Sequence, residues 1–137
     1  RLPAHATVLG RLLLSDLDLN ALRQLYPEAE LPKYTPRTPT TVEQLKQLID
    51  QDRANGYGVS QGGFESGIST IAAPVFNDRG EVAAAISITV PPQQVQPGEL
   101  EILVNQVREA AAQLTERISH LPSRGGWQTK PTEKKVA

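Results

Sequence analysis

From Gly56 through the Pro91-Pro92 pair the chain reads GYGVSQGGFESGISTIAAPVFNDRGEVAAAISITVPP, two alternating runs joined by a glycine turn. Residues Ile68 to Phe76 and Glu81 to Val90 repeat with the period of two that half-buried strands need. Between them, Asn77-Asp78-Arg79-Gly80 has the residues of a hairpin loop. Alternation places Ala83, Ala85, Ser87 and Thr89 on one face of the second strand. It places Val82, Ala84, Ile86, Ile88 and Val90 on the other. Thr70, sharing a face with Ile68 and Ala72, falls beside the first set. A face this narrow suits either close packing under a helix or a hollow in which neutral hydroxyls donate to a polar ligand.

Upstream, Tyr57 to Ser60 read as a short strand, and Gln61 to Gly67 as a polar, flexible loop. That loop is either a plain connection or a lid with Ser60 reaching inward. Its glycines do not lead a strand into a helix, so a nucleotide-binding reading is weak.

The remaining segments are helical. Residues 3 to 15 predict a short helix with proline in its first turn and a stripe of Ala6, Leu9, Leu12 and Leu13. Asp16 or Asp18 caps a second helix, carrying Leu19, Leu22 and Leu25, which Pro27 ends. Four prolines make residues 27 to 39 a loop. Thr40-x-x-Glu43 predicts a capping box for a third helix with Val42, Leu45, Leu48 and Ile49 on its face, closed at Gly56. From Pro97, Leu100, Leu103, Val104, Val107, Ala111, Leu114, Ile118 and Leu121 keep a helical period. Residues 122 to 137 have no periodicity and predict a disordered tail. The expectation is one α+β domain over residues 1 to 121, its helices covering a small antiparallel sheet.

Composition narrows the function classes. A formal charge of −1 over 137 residues argues against a surface that itself wraps nucleic acid. No cysteine is present, so there is no disulfide framework and no thiolate metal site, as suits a cytosolic protein. His5 and His120 cannot supply a multi-histidine metal site, and His5 near a helix start reads as a structural hydrogen-bonder. No run approaches the roughly 18 apolar residues of a membrane span. Gly67-x-Ser69 lacks the closing glycine of a nucleophile elbow, and Glu65 has no second carboxylate at hydrolase spacing. The residues point to sensing and not catalysis, with no cofactor and no metal. The chain lacks an initiator methionine and is expected to be a piece of something longer.

Three blocks, LPAHATVLGRLLLS, RANGYGV and FESGISTIAAPVFNDRGEVAAAISITVPP, in this order and spacing resemble the effector-binding domain of IclR-type bacterial transcription regulators. The similarity runs from about Leu2 to about Leu121. It implies a profilin-like, GAF-related fold whose opening strands lie upstream of Arg1. It also implies dimers or dimers of dimers, and a winged helix-turn-helix elsewhere in the chain through which DNA is bound. The implied partner is a small-molecule metabolite effector, an organic acid or aromatic compound, held between the sheet and the loop and helix covering it. Positions matching the family's binding residues are Val8, Leu9, Ser60, Ile68, Thr70, Ser87 and Thr89.

The chain departs from the family pattern in places. Ser60-Gln61-Gly62-Gly63 replaces an acidic segment, Thr70 stands where cysteine is common, and Arg11 where lysine is common. The alternative is an oligomerisation module with a vestigial pocket.

Overall fold

The computed structural model describes residues 1–91 and 96–119. A single 3-10 turn over Ala4–Ala6 leads into α1 (Val8–Leu13), α2 (Leu19–Leu25) and α3 (Val42–Asn55). Strands β1 (Gly58–Gln61), β2 (Ser69–Phe76) and β3 (Val82–Val90) follow, then the long α4 (Pro97–Ser119). The strands form an antiparallel three-stranded sheet in the order β1-β2-β3. This is the α+β architecture that the alternation and helical periods predict.

The sheet lies between two helical layers because its faces differ in bulk. Ile71, Ala73 and Val75 of β2 point to one side and bury against Val104, Val107 and Ala111 of α4. Ala84, Ile86 and Ile88 of β3 join that cluster, so the bulky face covers α4. On the opposite face Ala72 packs under Val8 and Leu12 of α1, with Ala85 at the margin. Small residues there let α1 come close. Behind α1, Leu14, Leu22, Leu31, Val42, Leu45 and Ile49 form a separate cluster that fixes α2 and α3.

Local chemistry shifts several boundaries. The expected helix over residues 3 to 15 is interrupted at Thr7, which is extended and whose hydroxyl accepts from the Gly10 N–H at 3.2 Å. Restarting the helix there changes its phase: Val8 and Leu12 are buried, Leu9 is half-buried, and Leu13 is exposed. Asp18, not Asp16, caps α2 by accepting from the Ala21 N–H at 2.8 Å. Of the three leucines this short helix carries, Leu22 is fully buried and Leu25, at its end, is exposed.

The capping box of α3 falls one residue later than the spacing suggests. Thr41 accepts from the Gln44 N–H, and Gln44 Oε1 accepts from the Thr40 N–H at 2.9 Å. Gln44 takes the role expected of Glu43, which is left to pair with Arg23. On α4, Leu114 is partly exposed where the helix runs past the sheet. His120, Leu121 and the tail expected over residues 122 to 137 lie outside the described residues.

Candidate functional site

Where the small face of the sheet runs beyond α1, it is not filled. A cavity of about 150 Å³ lies between that face, the start of α1 and the loop after β1. Register explains its polar wall. Ser60 of β1 pairs with Thr70 of β2, which pairs with Thr89 of β3, so three hydroxyl residues cross the sheet in one row. Thr70 Oγ1 and Thr89 Oγ1 stand 3.2 Å apart. Ser87, two residues along β3, shares their face.

The opposite wall is apolar. Val8 and Leu9 of α1, with Ile68 at the entry to β2, close it. All seven positions singled out in the sequence therefore line one cavity. Sequence reasoning passed over Leu2, Ala6, Thr7, Phe64 and Glu65, which also line it. The loop residues were legible only as a possible lid. Among the described residues Glu65 contributes the one charged side chain on these walls, and it is exposed.

The covering loop is fastened from outside. Thr35 Oγ1 donates to the Gly62 carbonyl at 2.6 Å and Thr38 Oγ1 to the Gly63 carbonyl at 2.5 Å. Thr38 also accepts from the Tyr34 and Thr35 N–H groups, so the proline-rich loop is held as it holds the lid. From inside, Ser60 Oγ accepts from the Gly63 N–H at 3.3 Å. The flexible loop expected from composition is thus tied down on both sides.

Glycine is required here on two separate grounds. Gly62 has φ +78, and a Cβ on Gly63 would lie 2.8 Å from the Ala6 carbonyl oxygen.

His5 has the structural role its position suggests. It is buried and its Nε2 donates to the Pro32 carbonyl at 2.8 Å. Its ring touches Tyr26 and Tyr34, and Tyr34 meets Phe64 edge-on with centroids 5.0 Å apart. An aromatic chain therefore runs from the 3-10 turn to the lid.

Behind the cavity, Arg11 Nε donates to Asp52 Oδ2 at 2.7 Å, and Arg11 Nη2 to the Val59 carbonyl at 3.2 Å. This buried link ties α1 to α3 and β1. Burial pushes the Asp52 carboxyl above its ordinary range, outweighing the opposing pull of Arg11. The signal for it was a charged residue at Arg11 within an otherwise apolar run.

The arrangement can bind and enclose, and among the described residues no group of three or more His, Asp or Glu could hold a metal ion. No helix among them is long and apolar enough to cross a membrane.

Residues 1–116 match the family model described as bacterial transcriptional regulator IclR C-terminal. The HTH-type transcriptional repressor AllR of Klebsiella pneumoniae is 33% identical over 122 residues, 89% of this chain and 45% of that protein. The chain thus spans about half the length of that curated relative. The crystal structure of the C-terminal domain of the Escherichia coli regulator KdgR superposes with a TM-score of 0.78 at 31% identity, covering 86% of this chain and 72% of that one. The inducer-binding domain of a PobR double mutant from Acinetobacter, complexed with 3-hydroxybenzoic acid, superposes with a TM-score of 0.75. It is 34% identical over 84% of this chain and 66% of its own. Sequence and fold agree: the chain belongs to the IclR C-terminal family of bacterial transcriptional regulators.

Proposed function

We propose that this domain senses a small, single-ring or similarly compact metabolite bearing an acidic group, and that its cavity is the effector site. The observation carrying the reading is convergence. Val8, Leu9, Ser60, Ile68, Thr70, Ser87 and Thr89 come from four segments of the chain and line one hollow of about 150 Å³. An engineered apolar cavity of roughly that volume holds a benzene ring. Thr70, Ser87 and Thr89 donate to the ligand's acceptor oxygens, while Val8, Leu9, Ile68 and Phe64 cover its apolar body. The 3-hydroxybenzoic acid held by the PobR domain is a compound of this kind.

In the longer cytoplasmic regulator the domain works as a dimer or tetramer, and DNA is contacted by a separate winged helix-turn-helix. The effector acts through its differential affinity for two arrangements of the subunits, which changes the spacing of the DNA-binding units. A thermal-shift series with 3-hydroxybenzoate and other small acids tests this. A stabilising acid is expected, with the shift abolished by a joint Ser87→Val, Thr89→Val change. A shift that survives the double change moves the site elsewhere.

One observation favours a second reading, an oligomerisation module with a vestigial pocket. Gly62 and Gly63 leave the lid without the acidic side chains of the family pattern, and both carbonyls are already engaged by Thr35 and Thr38. That reading predicts stable oligomers by light scattering with no response to any acid.

A further inference from the structure

On the outer side of the lid lies a second cavity, open to solvent and about 520 Å³ in volume. It is built from the tip of the proline-rich loop, the end of β1 and the start of β2. Its chemistry is opposite to that of the inner cavity. Among the described residues, Glu65 is the one charged side chain on the inner walls, whereas Arg37 is the one charged side chain on the outer walls. The lid therefore separates an acid from a base.

Arg37 is preorganised. It sits in a turn where Thr38 Oγ1 accepts from the Tyr34 and Thr35 N–H groups and the Arg37 N–H donates to Thr35 Oγ1 at 3.1 Å. Its Nη1 donates to the Gln61 carbonyl at 2.9 Å, leaving Nε and Nη2 without a partner among the described residues. The free Nε and Nη2 edge of the planar guanidinium matches the two oxygens of a carboxylate or phosphate.

A second group faces the same space. Ser69 is 6% exposed and lines this cavity, yet its hydroxyl has no hydrogen-bond partner among the described residues. That oxygen is not sealed in, because no buried side-chain oxygen or nitrogen lacks a partner among the described residues, so it is reachable from the cavity. Ser69 alternates with Thr70 along β2, so the strand presents one hydroxyl to each cavity.

The geometry points to a second binding site, outside the lid, for a small oxyanion such as a phosphate or carboxylate group, held by Arg37 with Ser69 donating. Because Gly62 and Ile68 line both cavities, an anion here bears on the same segment that covers the inner one. The outer site stands by itself; its coupling to the inner cavity rests on that cavity taking a ligand. Such coupling is reciprocal, each ligand changing the other's affinity by the same factor.

The test titrates the purified chain with sodium phosphate and, separately, sodium acetate, at ionic strength held constant with chloride, following backbone amide resonances. Saturable shifts are expected at Gln61, Gly62 and Ser66 to Ser69, with a dissociation constant on the order of millimolar. The tighter probe identifies which oxyanion the site favours. Arg37→Gln is expected to weaken binding about tenfold or more, and Ser69→Ala to weaken it less. Arg37 is exposed, and an unchanged melting profile of Arg37→Gln would show that the fold is intact. Should Arg37→Gln melt early, Arg37→Lys, which keeps the charge and loses the fork, is read in its place. Shifts that grow linearly with salt, or a site as tight without Arg37 as with it, would overturn the inference. A chain that binds phosphate here but ignores 3-hydroxybenzoate would leave the outer site standing and remove the inner one.

Discussion

Arg11 and Asp52 form an ion pair inside the helical layer, Nε to Oδ2 at 2.7 Å, with side chains only 6% and 9% exposed. The pair holds α1 at a set distance from β1, because the same guanidinium also reaches the Val59 carbonyl, next to Ser60. The placement of the inner cavity's walls therefore depends on two residues that do not line it.

Removing one partner strands the other as a buried charge. Arg11→Met is expected to cost about 3–5 kcal/mol near neutral pH. Asp52 already titrates above its ordinary value of 3.8 because burial outweighs the help of Arg11, and losing Arg11 raises it further. A carboxyl raised on folding contributes stability that is present below its unfolded pKa and lost as pH rises through its folded one. The variant's deficit should then shrink between neutral pH and about pH 4 as Asp52 takes up a proton. Urea denaturation of both proteins at the two pH values measures it. A deficit that does not vary with pH would mean Asp52 is not the stranded charge.

Gly58 is the glycine on which α1 rests. A Cβ there would lie 2.4 Å from Val8 Cγ2 and 2.9 Å from Asp52 Cγ. Gly58→Ala should destabilise the domain by about 1–3 kcal/mol, the usual range for overpacking. Since Val8 also walls the inner cavity, the same change should weaken effector binding. Equilibrium denaturation and calorimetric titration check the two effects separately.

The sheet and the inner cavity were legible because period-two alternation converts directly into faces. Thr70, Ser87 and Thr89 fell on one side by counting alone, and pairing through Ser60 then aligned three of the four hydroxyls. The helical N-terminus was less legible. A single hydroxyl at Thr7 competes for a backbone N–H and resets the phase, which no stripe of leucines can reveal. Nor could the fastening of the lid be read, since Thr35 and Thr38 lie 27 and 25 residues from the carbonyls they hold. Arg11 and Asp52 are 41 positions apart and carry no local sign of each other.

The fastening makes its own prediction. Thr38→Val keeps the side chain's shape but removes an acceptor for two N–H groups and the donor to Gly63. Each buried polar group left unsatisfied costs about 1–3 kcal/mol. The loss should be local, because the lid and the proline-rich loop can open without disturbing the sheet. Hydrogen exchange is expected to quicken at Gly62, Gly63 and Tyr34 while amides of β2 keep their protection. Equal acceleration throughout would show that the loop is part of the global folding unit.

A hollow retained for a ligand is a packing defect in the empty protein, and this gives the sharpest discrimination between sensor and scaffold. Thr70 stands on the cavity wall, half-buried, in the middle strand. Thr70→Ile exchanges a hydroxyl for a methylene and adds a methyl, in a residue type that strands favour. Because the added carbon enters existing space, the empty domain should keep its stability or gain up to about 1 kcal/mol. A sensor should pay for that gain with its acid-induced thermal shift, since both volume and a donor are lost. A vestigial pocket would gain the same stability and have no shift to lose. If Thr70→Ile instead destabilised the empty domain by clearly more than the roughly 1.5 kcal/mol that losing its hydrogen bond to Thr89 can explain, the wall would be packed more tightly than its volume implies, and the hollow could not serve as a binding site.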